Sequence, residues 1–417
     1  MKVFKFGGAS VKDANAVKNV ATILNRFPNE NIIVVISAMG KITNALEQLT
    51  DAYFFKKGDA TSVLSEIKNY HFDILNQLFE NKNHPIYDEL NNTFVELEWA
   101  IEDEPTHEYN HEYDQIVSMG EIISTKIVSA YLNEKNIKNE WLDVRGIIQT
   151  DNTYREGRVD WQLTQQLSSK LSQSKGVFIT QGFIEGTSEI SLTTLGREGS
   201  DYTADILAFT CNAESVTIWK DVTGVLNADP KWFDETKKLE QISYQDAIEL
   251  AYYGATVIHP KTIKPLQNKK IPLYVKSFIH PEEKGTVINE LQSPLPIPCF
   301  IFKVNQVLIS ISPKDFSFII EENLSDIFNL FAEKQVKVNV MQNSAISFSI
   351  SVDNDERKLP DLIQTLQKQY RVLYNDNLEL ITIRYYDQAT IERVTIDKKV
   401  LLEVKSRNTV QLVVKNA

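Results

Sequence analysis

This chain of 417 residues has few cysteines, no long apolar run and fewer basic than acidic residues. The two cysteines, Cys211 and Cys299, are too few for a disulfide framework and favour a reducing compartment. The longest apolar runs, such as 32–36, are far too short to span a membrane, and no signal-peptide core follows Met1. Basic residues are outnumbered, and the net charge of -12 argues against a nucleic-acid partner. The sequence therefore predicts a soluble, cytoplasmic protein of two or three domains.

Up to about Glu290, short apolar segments alternate with amphipathic helical patterns. Strands are predicted at Met1–Phe6, Ile32–Ser37, Glu140–Val144, Val177–Thr180, Ser215–Asp221 and Ile271–Val275. This alternation predicts an α/β fold, a three-layer sandwich whose mostly parallel sheet is covered by helices on both faces. The polar stretch 57–114 interrupts it and predicts a helical insertion or lid. Prolines at 293–298 indicate a linker, so we expect one domain at 1–293 and a second region at 294–417.

The pattern changes beyond the linker. Four strands and two helices are predicted in the order β-α-β-β-α-β, at Val304–Ser312, Asn323–Lys334, Val336–Met341, Ile346–Val352, Leu359–Gln369 and Leu378–Tyr385. This order is that of a ferredoxin-like α+β unit. A short helix at 389–393 and a hairpin of 400–405 and 410–414 follow. They predict a second, abbreviated copy of the same unit.

A lysine and two glycines lie between the first strand and the first helix, in Lys5-Phe6-Gly7-Gly8-Ala9-Ser10. Glycines let the backbone approach an anion closely, a helix N-terminus favours negative charge, and Lys5 adds a positive charge. Ser10 and Asp13 match a capping box, which predicts that the helix begins at Ser10. The segment is a candidate phosphate cradle, and a plain strand-to-helix turn is the alternative.

Two further segments carry polar side chains suited to a ligand. Ser37 and Thr43 follow a strand at the edge of the sheet where ligands bind, and their hydroxyls can donate to a carboxylate. Gly120-Glu121 lies in a predicted helix from Ile116 past Ile127, where the glycine permits a close approach and Glu121 can meet an ammonium group. The alternatives are that Thr43 only caps a helix and that Glu121 is solvated.

The segments 193–204 and 219–231 are denser in functional residue types. The guanidinium of Arg197 matches a carboxylate, and Asp201, at a helix start, can orient a neighbouring lysine. Apolar side chains beside Asp221 and Lys231 suit the base, ribose and phosphates of a nucleotide. Alternatively, Asp201 is an ordinary N-terminal helix charge and 219–231 is a surface loop.

Taken together, these segments resemble the aspartate kinases of the amino acid kinase family. The matching motifs follow the family order: KFGG at 5–8, ITN at 42–44, GE at 120–121, ITQGF at 179–183, TTLGR-GSDYTA within 193–204, DV-G at 221–224, DP at 229–230 and HP at 259–260. The resemblance implies the amino acid kinase fold and an ATP- and Mg²⁺-dependent phosphorylation of the β-carboxylate of L-aspartate. That reaction is the first step towards lysine, threonine and methionine.

The resemblance also implies roles for individual residues. Lys5 would stabilise the transferring phosphoryl group, and Asp201 would orient Lys5 and the amino acid. Substrate binding falls to Ser37, Thr43, Glu121, Phe183, Arg197 and Ser200. Nucleotide binding falls to Lys5, Gly7, Gly8, Ser10, Lys220, Asp221, Leu226, Lys231, Thr256 and Val257. No side chain is expected to bind a metal directly.

The chain departs from the family at four positions near the inferred nucleotide. Ala9 and Lys220 stand where threonine is frequent, Leu226 where tyrosine is frequent, and Thr256 where lysine is frequent. These departures put nucleotide affinity in question more than substrate identity.

The region 294–417 resembles the paired ACT domains through which aspartate kinases sense amino acids. Asn339 and Ala345 stand where lysine-sensing relatives often carry an acid, and the segment Ser317–Glu322 before the helix lacks the usual glycine. We therefore expect weak or absent inhibition by lysine, and pairing of this region in a homodimer or larger oligomer. The identity of any amino-acid effector stays open.

Other classes of function leave weaker traces. His107-Glu108-Tyr109-Asn110-His111 matches the HExxH motif of zinc proteases, but no third ligand is evident in its polar surroundings. A catalytically inactive amino-acid sensor is a second alternative, and a kinase of acetylglutamate, glutamate or uridylate is a third. A bifunctional enzyme is not expected, because no dehydrogenase domain follows residue 417.

Overall fold

The computed structural model describes the chain except residues 190, 234, 256–258, 291–296, 316 and 417. The chain divides into two compact units, here called unit 1 and unit 2. Unit 1 comprises Met1–Val225, Leu239–Ala247 and Ile258–Gln292, and unit 2 comprises Leu226–Lys238, Ile248–Val257 and Ser293–Ala417. The linker predicted at 293–298 falls mostly outside the described residues. Among the described residues, no helix combines the length and apolarity needed to cross a membrane.

The strands of unit 1 are β1 (Lys2–Phe6), β2 (Ile32–Ile36), β3 (Asn139–Leu142), β4 (Gln149–Thr150), β5 (Val177–Gln181), β6 (Ile184–Thr187), β7 (Leu192–Thr194), β8 (Ser215–Lys220), β9 (Gln241–Ser243), β10 (Leu273–Ser277) and β11 (Thr286–Asn289). The helices that accompany them are α1 (Ala14–Leu24), α2 (Ile42–Phe55), α3 (Ala60–Leu78), α4 (Ile86–Ala100), α5 (Tyr109–Val117), α6 (Met119–Glu134), α7 (Trp161–Ser172), α8 (Gly199–Thr210), α9 (Tyr244–Tyr253) and α10 (Pro260–Lys269). Helix α9 runs from unit 1 into the part of the chain assigned to unit 2.

A mostly parallel sheet organises unit 1, with helices packed on it in the predicted αβα arrangement. Its described strands follow the order β3-β5-β2-β1-β8-β10-β11-β9, and only the β10–β11 pair is antiparallel within it. All six strands predicted from the sequence belong to this sheet. Strands β9 and β11 and the small sheet β4-β6-β7 were missed, because two to four residues carry little periodicity.

The central strands are apolar on both faces, as a sheet covered on both sides requires. Every residue of β2 is buried. On β1, Phe4 and Phe6 pack against Trp219 of β8, and the Phe6 and Trp219 rings are stacked with centroids 6.1 Å apart. This packing fixes β1 in the middle of the sheet and so fixes the position of the residues that follow it.

Helices occupy most of the predicted insertion 57–114. Helix α3 begins at the cap residue Asp59, whose carboxylate accepts from the backbone N–H groups of Thr61 and Ser62. Helix α3 packs against α2 and α4, and α4 packs against α6. The predicted helical character is therefore correct for this stretch.

Unit 2 contains β12 (Cys299–Pro313), α11 (Glu321–Glu333), β13 (Val338–Asn343), β14 (Phe348–Asp353), α12 (Leu359–Gln369), β15 (Tyr370–Arg384), α13 (Gln388–Thr395), β16 (Lys398–Lys405) and β17 (Thr409–Asn416). The described strands form one antiparallel sheet of order β13-β14-β12-β15-β17-β16. The predicted order of elements is confirmed, but β12 and β15 are much longer than predicted.

Because β12 and β15 are long, residues of both strands contribute to two separate hydrophobic cores. Helices α11 and α12 cover one apolar cluster with β12 and β14, and α13 covers another with β15 and β17. The register between β12 and β15 shifts between Lys303 and Leu308, where Asn305 has a positive φ of 54°. Exposed polar residues at this shift, such as Asn375 and Asp376, interrupt the apolar alternation, so the sequence predicted shorter strands.

Candidate active site

Lys5 lies near the end of the central strand β1 and is 6% exposed. The turn that follows it packs tightly against the turn after β2. A Cβ on Gly8 would lie 2.7 Å from the carbonyl oxygen of Gly40, and the Gly40 N–H donates to the Gly8 carbonyl at 3.0 Å. Only glycine at position 8 permits this approach, so the two turns form one wall beside the lysine.

A buried carboxylate holds Lys5 in place. The Nζ of Lys5 lies 2.6 Å from Oδ1 of Asp201, in the first turn of α8, and the Nζ of Lys220 lies 3.4 Å from Oδ2. Burial alone raises the pKa of Asp201, but the ammonium groups of Lys5 and Lys220 outweigh it and hold the pKa below its usual range. Asp201 is therefore ionised, and the three side chains together carry one net positive charge.

Lys5 opens into a cavity of about 780 Å³ in unit 1. The residues predicted to bind substrate, together with Lys5 and Gly8, line it: Ser37, Thr43, Glu121, Phe183, Arg197 and Ser200. They come from the ends of β1, β2 and β5 and from the N-terminal turns of α2, α6 and α8. The carboxyl ends of parallel strands and the starts of helices meet at one edge of the sheet, which explains why segments so far apart in sequence converge there.

Glu121 is the most perturbed acid of the cavity wall. Helix α6 carries it, and Gly120 before it packs against the turn after β2, where a Cβ would lie 3.0 Å from Ala38 Cβ. The Ala38 N–H donates to Glu121 Oε1 at 3.1 Å, and Oε2 is buried without a hydrogen-bond partner among the described residues. Burial raises the pKa of Glu121 to about 8, although the Ala38 N–H and Lys5 oppose the shift. The free carboxyl is therefore mostly protonated at neutral pH.

The backbone around Phe183 is held in an unusual conformation. Phe183 has a positive φ of 73°, and its N–H donates to Thr203 Oγ1 at 2.9 Å. The Phe183 ring packs directly against Gly199, where an added Cβ would lie only 2.6 Å from Phe183 Cδ2. Arg197, in the loop just before α8, is exposed on the cavity wall. A rigid backbone thus presents Phe183 and Ser200 to the cavity beside a solvated arginine.

The predicted capping box at Ser10 is wrong. Residues Gly8–Val11 form a 3-10 helix, and α1 begins after Asp13, whose carboxylate accepts from the Ala16 N–H at 2.8 Å. The Ser10 hydroxyl instead donates to the backbone carbonyl of Trp219 at 3.2 Å. The cap of the first helix is therefore Asp13, three residues after Ser10, and the helix begins at Ala14.

Two other local expectations also changed. The continuous helix expected from Ile116 past Ile127 is divided at Ser118 into α5 and α6, which places Glu121 in a first helical turn. Thr43 lies in the first turn of α2, whose cap residue Lys41 makes no side-chain cap. The alternative that Thr43 only caps the helix is thereby excluded.

The residues predicted for the nucleotide lie in several parts of the chain. Lys220 is the last residue of β8 and lies beside Asp201, and the exposed Asp221 follows it. Gly7 lies close to Lys5, because an added Cβ would be 3.4 Å from Lys5 Nζ. Leu226, half-buried, and Lys231, exposed, belong to the segment assigned to unit 2. Thr256 and Val257 lie outside the described residues.

Arg155 is a cavity residue that sequence reasoning missed. Its backbone has a positive φ of 68°, and its N–H donates to Asp114 Oδ2 at 2.8 Å. Its guanidinium lies 4.1 Å from the centre of the Tyr113 ring and 3.7 Å from Glu47 Oε1. All these partners are distant in sequence, so no local motif could have revealed the residue. Its neighbour Glu156 also lines the cavity.

Three further buried acids have raised pKa values. Burial raises the pKa of Asp114 to about 6, although N–H and hydroxyl groups of Arg155 and Thr194 donate to it. Burial, with the charge of Asp114, raises the pKa of Glu185 well above its usual range. Burial, with the charge of Asp201, does the same for Asp205. The ionised charge near Lys5 is therefore concentrated on Asp201.

Comparison with known proteins gives a consistent result. Residues 1–277 match the model of the amino acid kinase family. Lysine-sensitive aspartokinase 3 of Escherichia coli is 29% identical over 392 residues, which span 91% of this chain and 86% of that protein. Chloroplastic aspartokinase 1 of Arabidopsis thaliana is 31% identical over 376 residues, which span 87% of this chain and 65% of that protein.

Solved structures agree. E. coli aspartokinase III in complex with aspartate and ADP superposes with a TM-score of 0.83 at 27% identity, over 99% of this chain and 96% of that one. Clostridium acetobutylicum aspartate kinase gives the same TM-score at 22% identity, over 100% of this chain and 96% of that one, and supports the fold. With a family model that matches well over half of its length, the chain belongs to the amino acid kinase family.

Proposed function

We propose that this protein is an aspartate kinase, which transfers the γ-phosphoryl group of ATP to the β-carboxylate of L-aspartate and forms 4-phospho-L-aspartate. One observation carries the proposal: Lys5, Glu121 and Arg197 line a single cavity. That cavity offers a cation for a phosphoryl group, an acid for an ammonium and a guanidinium for a carboxylate. Aspartokinases are similar to this chain over most of its length, and the E. coli structure holds aspartate and ADP.

The substrate end of the site is built for an amino acid. Arg197 binds the α-carboxylate through its planar fork, and the hydroxyls of Ser37, Thr43 and Ser200 donate to the same anion. Glu121 pairs with the α-ammonium once it ionises. Phe183 closes the wall with its backbone held rigidly, which orients the β-carboxylate towards Lys5.

The chemical step needs no general base. A carboxylate with an ordinary pKa of about 3.9 is already an anionic nucleophile at neutral pH. Its oxygen attacks the γ-phosphorus in line, the bond to the bridging oxygen breaks, and ADP leaves with the electron pair. Repulsion between the two anions is the main obstacle, so Lys5, with Lys220 beside it, lowers the barrier by neutralising charge that spreads over the transferring group. Asp201 orients both lysines.

The nucleotide phosphates would lie along the glycine turn after β1, where Gly7 and Gly8 leave room for a close approach and Ser10 is held at its base. Lys220 and Asp221 stand at the end of β8. The roles of Leu226, Lys231, Thr256 and Val257 stay predictions from the family resemblance. Mg²⁺ reaches such sites on the triphosphate with several waters retained, and here it would shield phosphate charge. The oxygens of Asp201 are taken by the two lysines, so the protein supplies cations at this point rather than metal ligands.

A coupled ADP-release assay tests the proposal. We expect ADP release that requires L-aspartate and is not supported by L-glutamate, acetylglutamate or UMP. Folded protein that binds aspartate without turnover would favour the inactive-sensor alternative, and turnover of another acceptor would favour a different member of the family.

We further propose that unit 2 is a pair of ACT domains with little response to lysine. Asn339, 9% exposed, already has its polar atoms engaged: its amide donates to Gln306 and Asp353 at 2.8 and 2.9 Å, and its oxygen accepts from Lys303 Nζ at 2.9 Å. An incoming ammonium would have to compete with the internal lysine. Inhibition of the ADP-release assay by millimolar lysine would contradict this, and threonine and methionine are tested alongside.

The same region is proposed to pair in a homodimer or larger oligomer. Apolar side chains stand exposed on unit 2, with Phe318 70%, Met341 51% and Ile346 47% accessible. Burial of such a surface against a second copy removes apolar area from water. Light scattering after gel filtration should give a mass of at least two chains, and a monomeric mass at assay concentration would contradict the proposal.

A further inference from the structure

The two histidines of the HExxH motif lie against each other just before and within the first turn of α5. The rings of His107 and His111 are stacked, with centroids 4.1 Å apart and planes inclined by 26°. The acid that joins them is Glu112, whereas Glu108, at the motif position that serves as general base in a zinc protease, is not part of the cluster. One ligand atom from each of the three side chains lies within 4.8 Å of the other two.

The spacing of these atoms is close to that of a metal's coordination sphere. His107 Nδ1 lies 3.5 Å and His111 Nδ1 lies 3.9 Å from Glu112 Oε1. In a tetrahedral zinc site with bonds of about 2.0–2.1 Å, neighbouring ligand atoms are about 3.3 Å apart. Coordination therefore requires the exposed His107 ring to leave its 2.9 Å contact with the Thr106 hydroxyl, and His111 and Glu112 to approach each other by about 0.6 Å.

The second ring nitrogen of His111 supplies an independent observation. Nε2 lies 3.4 Å from the Ser191 hydroxyl, while Nδ1 is buried and has no hydrogen-bond partner in the described part of the chain. A metal-binding histidine usually bonds through one nitrogen and donates its other N–H to a neighbour. Nδ1 of His111 is therefore the nitrogen left for a metal, while Nε2 contacts the Ser191 hydroxyl.

A carboxylate completes the cluster. Glu112, which also accepts from the His107 N–H at 3.1 Å, brings the anionic ligand that offsets the charge of the ion at a helix N-terminus.

We propose that His107, His111 and Glu112 form a binding site for one divalent transition metal ion, with Zn²⁺ as the expected ion and water in the fourth position. Two imidazoles and one carboxylate suit Zn²⁺ and exclude Mg²⁺, which prefers oxygen ligands in an octahedron. None of these side chains is among those that line the kinase cavity described above. The ion would instead fasten the start of α5, whose Tyr113 and Asp114 hold Arg155 at the cavity wall.

Competition between tag-free protein and a chromogenic chelator for ZnCl₂ tests the site. We expect one Zn²⁺ per chain, unaffected by excess MgCl₂, and at least about tenfold weaker binding in His107→Ala and in Glu112→Gln. His280→Ala is the matched control, because the side chains of His107 and His280 are 59% and 58% exposed. Circular dichroism confirms that each variant is folded, and Zn²⁺ should raise the Tm of the parent protein but not of His107→Ala.

Co²⁺ provides a second readout that does not depend on affinity. In the parent protein it should give the visible absorption of a tetrahedral ion, and His107→Ala should lose that spectrum. Failure of the parent protein to bind Zn²⁺ stoichiometrically would overturn the proposal. Undiminished binding by either His107→Ala or Glu112→Gln would overturn it as well.

Discussion

Aspartate binding should depend on pH through Glu121. The carboxyl is 2% exposed, and burial raises its pKa to about 8 in the free protein. Its proposed partner, the α-ammonium of aspartate, needs the ionised form. Binding at neutral pH must therefore expel a proton, and affinity rises with pH until Glu121 is ionised before the substrate arrives.

The magnitude follows from the pKa. With a pKa of about 8, roughly one molecule in ten is ionised at pH 7, so ionisation costs about 1.4 kcal/mol there. Between about pH 6.5 and pH 7.5 the ionised fraction grows about eightfold, and the KM for aspartate should fall by about that factor. The sign is fixed: a raised carboxyl pKa weakens binding of a cation below that pKa, and the effect fades above about pH 8.

Initial rates of ADP release against aspartate concentration across this pH range give the measurement. Calorimetry in buffers of different ionisation enthalpy should show close to one proton released per aspartate bound at pH 7. Glu121→Gln should bind weakly with a flat profile, whereas Glu47→Gln, at a half-exposed acid of the same cavity, should keep the slope. A KM that is constant from about pH 6.5 to pH 7.5 in the parent protein would refute the reasoning.

Three further substitutions test other parts of the site. Lys5→Ala should lower kcat by about two orders of magnitude in a folded protein, because the charge that shields the phosphoryl group is lost; turnover within about threefold would contradict its role. Gly8→Ala should destabilise by about 1–3 kcal/mol on urea unfolding, since its Cβ would lie 2.7 Å from a backbone oxygen, whereas Gly146→Ala, with open space, should not. Arg155→Ala should raise the KM for aspartate severalfold, whereas the nearby control Arg158→Ala should leave the KM unchanged. An equal rise in KM in both variants would contradict a specific role of Arg155 in the cavity.

The sheet was predictable from the sequence because burial on both faces leaves a strong local pattern. Segment 32–36 is a continuous apolar run, and 216–219 is buried along its whole length, so both were predicted as strands. The start of α1 was not predictable, because it depends on contacts made elsewhere. The Ser10 hydroxyl is drawn to Trp219, a partner 209 residues away, which leaves Asp13 to cap the helix.

In the candidate site, too, residues within local motifs were predictable and residues placed by distant contacts were not. Residues carried by dense motifs, such as Lys5, Arg197 and Ser200, line one cavity. Arg155 had no motif, because its position results from Asp114, 41 residues away, and from Tyr113 and Glu47. Sequence patterns report what is local, and contacts of this kind are fixed only when the chain folds.

Lys220 shows why such contacts change the chemistry. As a departure from the family's frequent threonine, it first indicated a weakened nucleotide site. In the structure its ammonium shares the Asp201 carboxylate with Lys5. Lys5 and Asp201 alone would be neutral and would do little against the repulsion between a carboxylate and a triphosphate. With Lys220 the group keeps one net positive charge, so the departure strengthens the charge on which the proposed phosphoryl transfer relies.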